Sequence, residues 1–388
     1  MGLPDQFEKI ASAANGRVGV AVQLLESGET ADFHGDEHFP MHSVYKLPIS
    51  MAVLQRVDRG ELKLDQLVKV EPGDFVRTGM WSPVRDKYPN GTELTIAELL
   101  RYTICESDGS TSDVLMKLIG GPGNVMAFLE EIHVPGIQVI NYEKEIGRDW
   151  ETQYRNSATP KAAVALLAAL QSKRKLSPES QALLLKLMTD SVPGAKRLKG
   201  ELPAGTVVAH KTGTGGTQNG ITSATNDIGI ITLPDGRHLA VAAFVSDSTA
   251  DDGTRDAVIA RLAKAAWDRA KSLGRRSVGG RPVPRSISRL PIYWLVSIVS
   301  SDPCLSPTLN FPNYRDESAR SISELGDFWA PLNSLITGHR PIIPITRLRI
   351  PMTPDHTAIQ AAIRAAGSVA RTAHKSFSQT VVFLIANS

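Results

Sequence analysis

β-branched and apolar residues stand on both sides of Ser27-Gly28 in "RVGVAVQLLESGETADFHG", residues 17 to 35. That pattern predicts two strands joined by a tight turn. From Ser43 to about Met188 the spacing becomes helical, in "KLPISMAVLQRVDRGEL", "TIAELLRYTICES" and "TSDVLMKLIGG". "TPKAAVALLAAL" opens with a threonine N-cap and a proline at the first helical position. Strand character returns after "ELPAG", in "TVVAHKTGT", "NDIGIITL" and "LAVAAFVSD", the last two joined by a "PDGR" turn. "RDAVIARLAKAAWDRAKSL" then reads as an amphipathic helix. Sheet-forming ends around a helical middle predict an α/β domain of residues 1–40 and 196–272 with an all-α domain, 41–195, inserted into it. Clefts between such domains are common sites for small ligands.

Composition changes that picture only at the C-terminal end. Residues 1–272 carry 30 Lys+Arg against 34 Asp+Glu, and residues 273–388 carry 13 against 6. Eleven of the 24 prolines lie in that last stretch, and twelve of its thirteen cations are arginine. "RRSVGGRPVPRSISR" reads as a linker, and only "DHTAIQAAIRAAGSVARTAHKSF" has helical spacing. The tail is expected to be weakly ordered and without a catalytic role. Its aromatics are too sparse for a nucleic-acid surface, and no nucleic-acid partner is expected.

Other classes fall away. The longest apolar run, "IYWLVSIVSS", is too short to span a bilayer, and "MGLPDQFEKIASAANGR" has no signal-peptide pattern. Cys105 and Cys304 lie far apart in sequence, so neither a disulfide framework nor a cysteine metal site is expected. His34, His38 and His42 are spaced by four, but Gly35 and Pro40 break any helix there. They read as solvated loop histidines, and no metal or other cofactor is expected.

Chemistry concentrates in four places. Ser43 and Lys46 in "FPMHSVYKLPIS" are three apart within an apolar frame, which puts both heads on one helical face. Chance alone supplies about one S-x-x-K in a chain of this size. A second occurs, Ser172 with Lys175, at a polar break. "CESDGSTSD" puts Ser107 between two helical stretches, and "NYEKEIGRDWETQYRNSATP" is a charged loop before a capped helix. "VAHKTGTGG" sets Lys211 and Thr212 beside glycines that let a substrate approach the strand closely.

In this order, S-x-x-K, S-D-x, a glutamate loop and K-T-G resemble the class A serine β-lactamases. The resemblance covers roughly residues 5–272 and is nearest the extended-spectrum branch, which carries an S-D-x-x-x-x-D variant. It implies the β-lactamase/transpeptidase-like fold, an antiparallel sheet flanked by helices with an inserted helical domain. It implies Ser43 as nucleophile, Lys46 as its proton partner, Ser107 as proton donor to the leaving nitrogen, and Glu143 as base for the deacylating water. Framing by "RNSATP" favours Glu143 over Glu145 and Glu151 for that part. Backbone N–H groups of Ser43 and Thr214 would form the oxyanion hole. Lys211, Thr212, Gly213 and Thr214 would meet the substrate carboxylate, with Arg197 supplying a further cation. Trp81 matches an aromatic at the cleft mouth, although a core tryptophan is an equal reading. The family also implies penicillins and cephalosporins as substrates, a monomer, and a periplasmic or secreted location.

Departures from the family pattern complete the expectations. Gly109, Asp113 and Gly147 stand where asparagine is usual, and Asn141 and Asn156 stand where many members have an Arg-Asp clasp. A roomier, more mobile site that accepts bulky cephalosporins follows. A penicillin-binding D,D-peptidase and a β-lactam-sensing module that is acylated but not turned over are the alternatives; Glu143 argues against both.

Overall fold

A computed structural model describes residues 2–278, 293–298 and 381–386. Within Arg17–Leu24, Val18, Val20, Val22 and Leu24 face one way and Ala21 the other, because successive strand side chains point to opposite faces. The strand joins a five-stranded sheet in the order Thr30–Phe33, Arg17–Leu24, His238–Ser246, Thr225–Thr232, Val208–Thr214. All neighbours are antiparallel. The valine-rich face, continued by Val241, Ala243 and Val245, is covered by the helices Leu3–Ala11 and Asp252–Val278 through Phe7, Val258, Leu262 and Trp267. The other face presents Ala21, Ile228, Ile230, Ala240, Ala242 and Phe244 to the helical part. Small alanines there let the helix Pro160–Gln171 lie directly on the sheet.

The helical part is organised around Lys46–Asp58, in which every residue from Lys46 to Gln55 is buried. A helix apolar all round belongs in an interior, and this one is enclosed by Ile96–Cys105, Gly109–Leu118, Pro122–Glu131 and Pro178–Thr189. Entry points follow the local signals. Thr95 and Glu98 form a reciprocal capping box, and Thr159 accepts the Ala162 N–H with Pro160 at the first position. The second S-x-x-K makes no pair: the Ser172 hydroxyl donates to the Ala169 carbonyl, and Lys175 lies 3.3 Å from Glu131.

The final helix runs to Val278, past the expected boundary near 272, and Met1–Gly280 forms one compact unit. Arg281–Ser388 forms a second, in which Tyr293–Ile298 pairs antiparallel with Val381–Ala386. The run "IYWLVSIVSS" therefore contributes a strand, which the lack of a sustained period in the tail did not indicate. The helix expected at residues 355–377 lies outside the described residues. Among the described residues no helix is long and apolar enough to cross a membrane.

Both faces of the sheet are covered from within the first unit. A chain ending after Gly280 should therefore fold with a melting temperature within a few degrees of the full chain and keep kcat/KM within about threefold, under 1 kcal/mol. Loss of cooperative melting in that truncation would refute the independence of the first unit.

Candidate active site

Ser43 sits on a 3-10 turn, His42–Tyr45, that feeds straight into the buried helix, so Lys46 begins that helix with its side chain 1% exposed. Lys46 Nζ donates to Ser43 Oγ at 2.9 Å and to the Ser107 carbonyl at 2.8 Å, and lies 3.6 Å from Glu143 Oε2. An ammonium this deeply buried survives only with such partners.

Ser107 occupies the link between Ile96–Cys105 and Gly109–Leu118 with φ of 59°, left-handed backbone that a residue with a Cβ seldom adopts. Asp108 holds it there. One of its carboxylate oxygens caps Thr111 N–H at 2.8 Å, and the other accepts from Ser82 Oγ and Val84 N–H. The Ser107 carbonyl thereby faces Lys46 while its hydroxyl accepts from Lys211 Nζ at 2.9 Å. Burial, with repulsion from Lys46, pulls Lys211 well below the usual ammonium range.

Lys211 belongs to Val208–Thr214, the edge strand of the sheet, and an edge leaves a row of backbone groups unpaired. A Cβ on Gly213 would fall 2.3 Å from the Met41 carbonyl, so only glycine lets this strand lie against the serine turn. The Asn226 amide, opposite Gly213 in register, fastens the two by donating to the Pro40 and Met41 carbonyls.

Glu143 opens the short helix Glu143–Ile146. Burial works to raise its pKa, but Lys46 and a hydrogen bond from Tyr45 outweigh that and hold it below the usual carboxylate range. Asp113 accepts the Glu143 N–H at 2.6 Å and the Lys144 N–H at 3.0 Å. Ser43, Ser107, Glu143, Trp81, Thr212 and Thr214 line one cleft of about 1520 Å³.

The Beta-lactamase enzyme family model matches residues 2–270. The chain belongs to the β-lactamase enzyme family. It is 41% identical over 265 residues to Beta-lactamase VEB-1 of Pseudomonas aeruginosa, 68% of this chain and 88% of that one. It is 41% identical over 267 residues to Extended-spectrum beta-lactamase PER-1 of the same organism, 68% and 86% of the two chains. The crystal structure of TLA-3 extended-spectrum beta-lactamase matches at 40% identity and a TM-score of 0.67, covering 69% of this chain and 98% of that one. A β-lactamase from Chitinophaga pinensis matches at 42% identity and a TM-score of 0.68, covering 69% and 99%. Chain and fold thus resemble class A enzymes of the extended-spectrum kind, and this β-lactamase has their antiparallel sheet flanked by helices.

Against that family pattern, several expectations change. Gly109 does not widen the cleft: a Cβ there would meet Glu143 Cγ at 2.9 Å and the Trp81 carbonyl at 3.1 Å, so its space is already taken. Gly147 is likewise closed over by Met80 and Arg77, and the Arg77 guanidinium donates to its carbonyl. The loop is also fastened without an ion pair. Asn156 Oδ1 accepts the Ile140 and Asn141 N–H groups at 2.7 and 2.9 Å, and its amide donates to the Asn141 carbonyl at 2.8 Å.

Arg197 is 9% exposed and does not line the cleft. It donates to Asp256, to the Gly213 and Asn226 carbonyls, and to Thr214 Oγ1 at 2.8 Å, so it reaches the site through that threonine. Trp81 is no core residue: it is 68% exposed, with its indole N–H on the Glu106 carbonyl. His34 and His38 are exposed loop residues, but His42 is buried beside Ser43. Burial, opposed by Glu143 and reinforced by Lys46, pulls its pKa down to about 4 and keeps it neutral at pH 7. Sequence reasoning also missed Tyr45, whose hydroxyl donates directly to Glu143, and Asn226, which acts through the Pro40 and Met41 carbonyls.

Two outcomes follow in this enzyme. Asn156→Ala leaves two N–H groups without their acceptor and should cost about 1–3 kcal/mol; an unchanged denaturant midpoint would remove the clasp from Asn156. Burial raises the Asp113 pKa to about 7, whereas in an open chain it is about 4. The fold therefore binds this proton more tightly than the open chain does. That contribution is complete below about pH 4 and is lost as pH rises through about 7. Stability should decline from pH 5 to 8 in the parent and less so in Asp113→Asn, and parallel profiles would contradict the assignment.

Proposed function

We propose that this enzyme opens the lactam ring of penicillins and cephalosporins through an acyl-enzyme on Ser43. Ser43 Oγ attacks the carbonyl carbon, the carbon–nitrogen bond breaks, and Ser107 Oγ gives its proton to the departing nitrogen. Glu143 takes the proton from Ser43, either directly or by relay, with Lys46 giving one of its protons to Glu143 as it takes that of Ser43, and Lys211 resupplies Ser107 across their 2.9 Å contact. In the second half, once Glu143 has returned its first proton to Lys211 by way of solvent, water attacks the ester carbonyl and loses a proton to Glu143, and Lys46 gives a proton to Ser43 Oγ as the carbon–oxygen bond breaks. The backbone N–H groups of Ser43 and Thr214 take up the negative charge of each tetrahedral stage. Thr212 and Thr214 receive the substrate carboxylate, with Lys211 and Arg197 beneath them.

The observation that carries this reading is Glu143: a carboxylate held ionised 3.6 Å from Lys46, lining the same cleft as Ser43. A D,D-peptidase or sensing module has no use for it. Relatives named as extended-spectrum enzymes support a range that includes bulky cephalosporins. The 1520 Å³ cleft, rather than the glycines, supports that range. The reading carries with it a monomer working in the periplasm or outside the cell, since the targets of β-lactams lie in the envelope.

Glu143→Gln should still be acylated but stall at deacylation. A chromogenic cephalosporin should then give a burst of one equivalent, and intact-mass spectrometry should find the adduct on Ser43. Turnover at the parental rate would sink the assignment.

A further inference from the structure

Tyr45 stands between nucleophile and lysine in S-V-Y-K and is wholly buried. Its hydroxyl donates to Glu143 Oε2 at 2.6 Å, the oxygen that Lys46 Nζ approaches at 3.6 Å. Burial, then the charges of Glu143 and Asp113, push the phenol well above its ordinary pKa, so it keeps a proton to donate to Glu143. Among the described residues no protein donor reaches Glu143 Oε1. The tyrosine belongs to the same 3-10 turn as Ser43, so one turn sets both the nucleophile and the carboxylate opposite it.

We propose that Tyr45 is the positioning residue of deacylation: by donating to Oε2 it fixes the rotation of the Glu143 carboxylate and leaves Oε1 for the attacking water. This rests on Glu143 being the base. The groups facing Glu143 are Lys46, His42 and Tyr45 from the serine turn and its helix, Asp113 from Gly109–Leu118, and Lys211 from the edge strand. Arg77 reaches the carbonyl of nearby Gly147. Tyr45→Phe keeps the ring and its packing and leaves all the others in place, so it removes only what the hydroxyl makes, its bond to Glu143 and its contact with Ser112. A carboxylate that loses a donor to its charged form holds its proton to higher pH.

The test compares single-turnover acylation and deacylation across pH 5–9 in the parent, Tyr45→Phe, Glu143→Gln and the double variant. Tyr45→Phe should slow deacylation about tenfold or more, leave acylation within about threefold, and move the acid limb of deacylation up by about half a pH unit or more. On the Glu143→Gln background it should add less than about twofold, since the group it positions is gone. An unmoved acid limb, or an equal loss on both backgrounds, overturns the positioning role while leaving Glu143 as base. Parental turnover in Glu143→Gln overturns the base itself. Should the phenylalanine variant fold poorly, 3-fluorotyrosine at position 45 strengthens the donor and should lower the acid limb; a rise would equally overturn the proposal.

Discussion

One buried ammonium organises this molecule. Lys46 heads a helix whose first ten residues are all buried, and an unpaired charge there would cost several kcal/mol. Its partners come from separate parts of the chain: Ser43 from the preceding turn, the Ser107 carbonyl from an interhelical link, Glu143 from a loop almost a hundred residues on. Satisfying the lysine therefore draws the chemistry-bearing residues of the helical part together. It also explains the left-handed backbone at Ser107, because that conformation turns the carbonyl to Lys46 and the hydroxyl to Lys211. Strain at that residue is held in place by Asp108, whose carboxylate takes hydrogen bonds from two elements at once.

The sheet answers the same constraint from the other side. Its edge strand can reach Ser107 only by lying against the turn that carries Ser43, and Gly213 leaves room for the Met41 carbonyl to do so. Asn226 locks that contact from the neighbouring strand, and Arg197 ties the Gly213 and Asn226 carbonyls to Asp256 in the final helix. A long line of contact thus runs from the outer helix through the sheet to the turn that carries Ser43. The cleft is rigid where chemistry needs it.

Much of this was legible in the sequence because its signals are local. β-branched and apolar runs around turn signals gave the sheet, helical spacing gave the buried helix, and four short motifs carried Ser43, Lys46, Ser107, Glu143 and Lys211. What escaped depends on contacts between distant segments. Nothing in the spacing of His42 says that Ser223 and Gly215 close over it, so it read as a loop histidine. Gly109 and Gly147 read as missing volume, whereas Glu143, Met80 and Arg77 fill the space. Asn156 read as a lost ion pair, yet one amide replaces it with backbone hydrogen bonds. Tyr45 did leave a sequence signal that went unused: a buried tyrosine needs a partner for its hydroxyl, and an otherwise apolar frame does not offer one nearby.

The protonation pattern bears on the anionic substrate proposed for this cluster. Asp113, Glu143, Lys46 and Lys211 are all buried to a degree that forbids four independent charges. Burial leaves the proton on Asp113 up to about pH 7, so that Glu143 is the carboxylate kept ionised, beside Lys46. Lys211 feels Glu143 and Asp227 at longer range, but its two hydrogen bonds go to a hydroxyl and a carbonyl rather than to a carboxylate. Burial, with repulsion from Lys46, outweighs those charges and pulls its pKa well down. On the proposed mechanism, a carboxylate arriving at Thr212 and Thr214 would add counter-charge beside Lys211 and favour its protonated form, so that binding and proton delivery through Ser107 would be coupled through the same lysine.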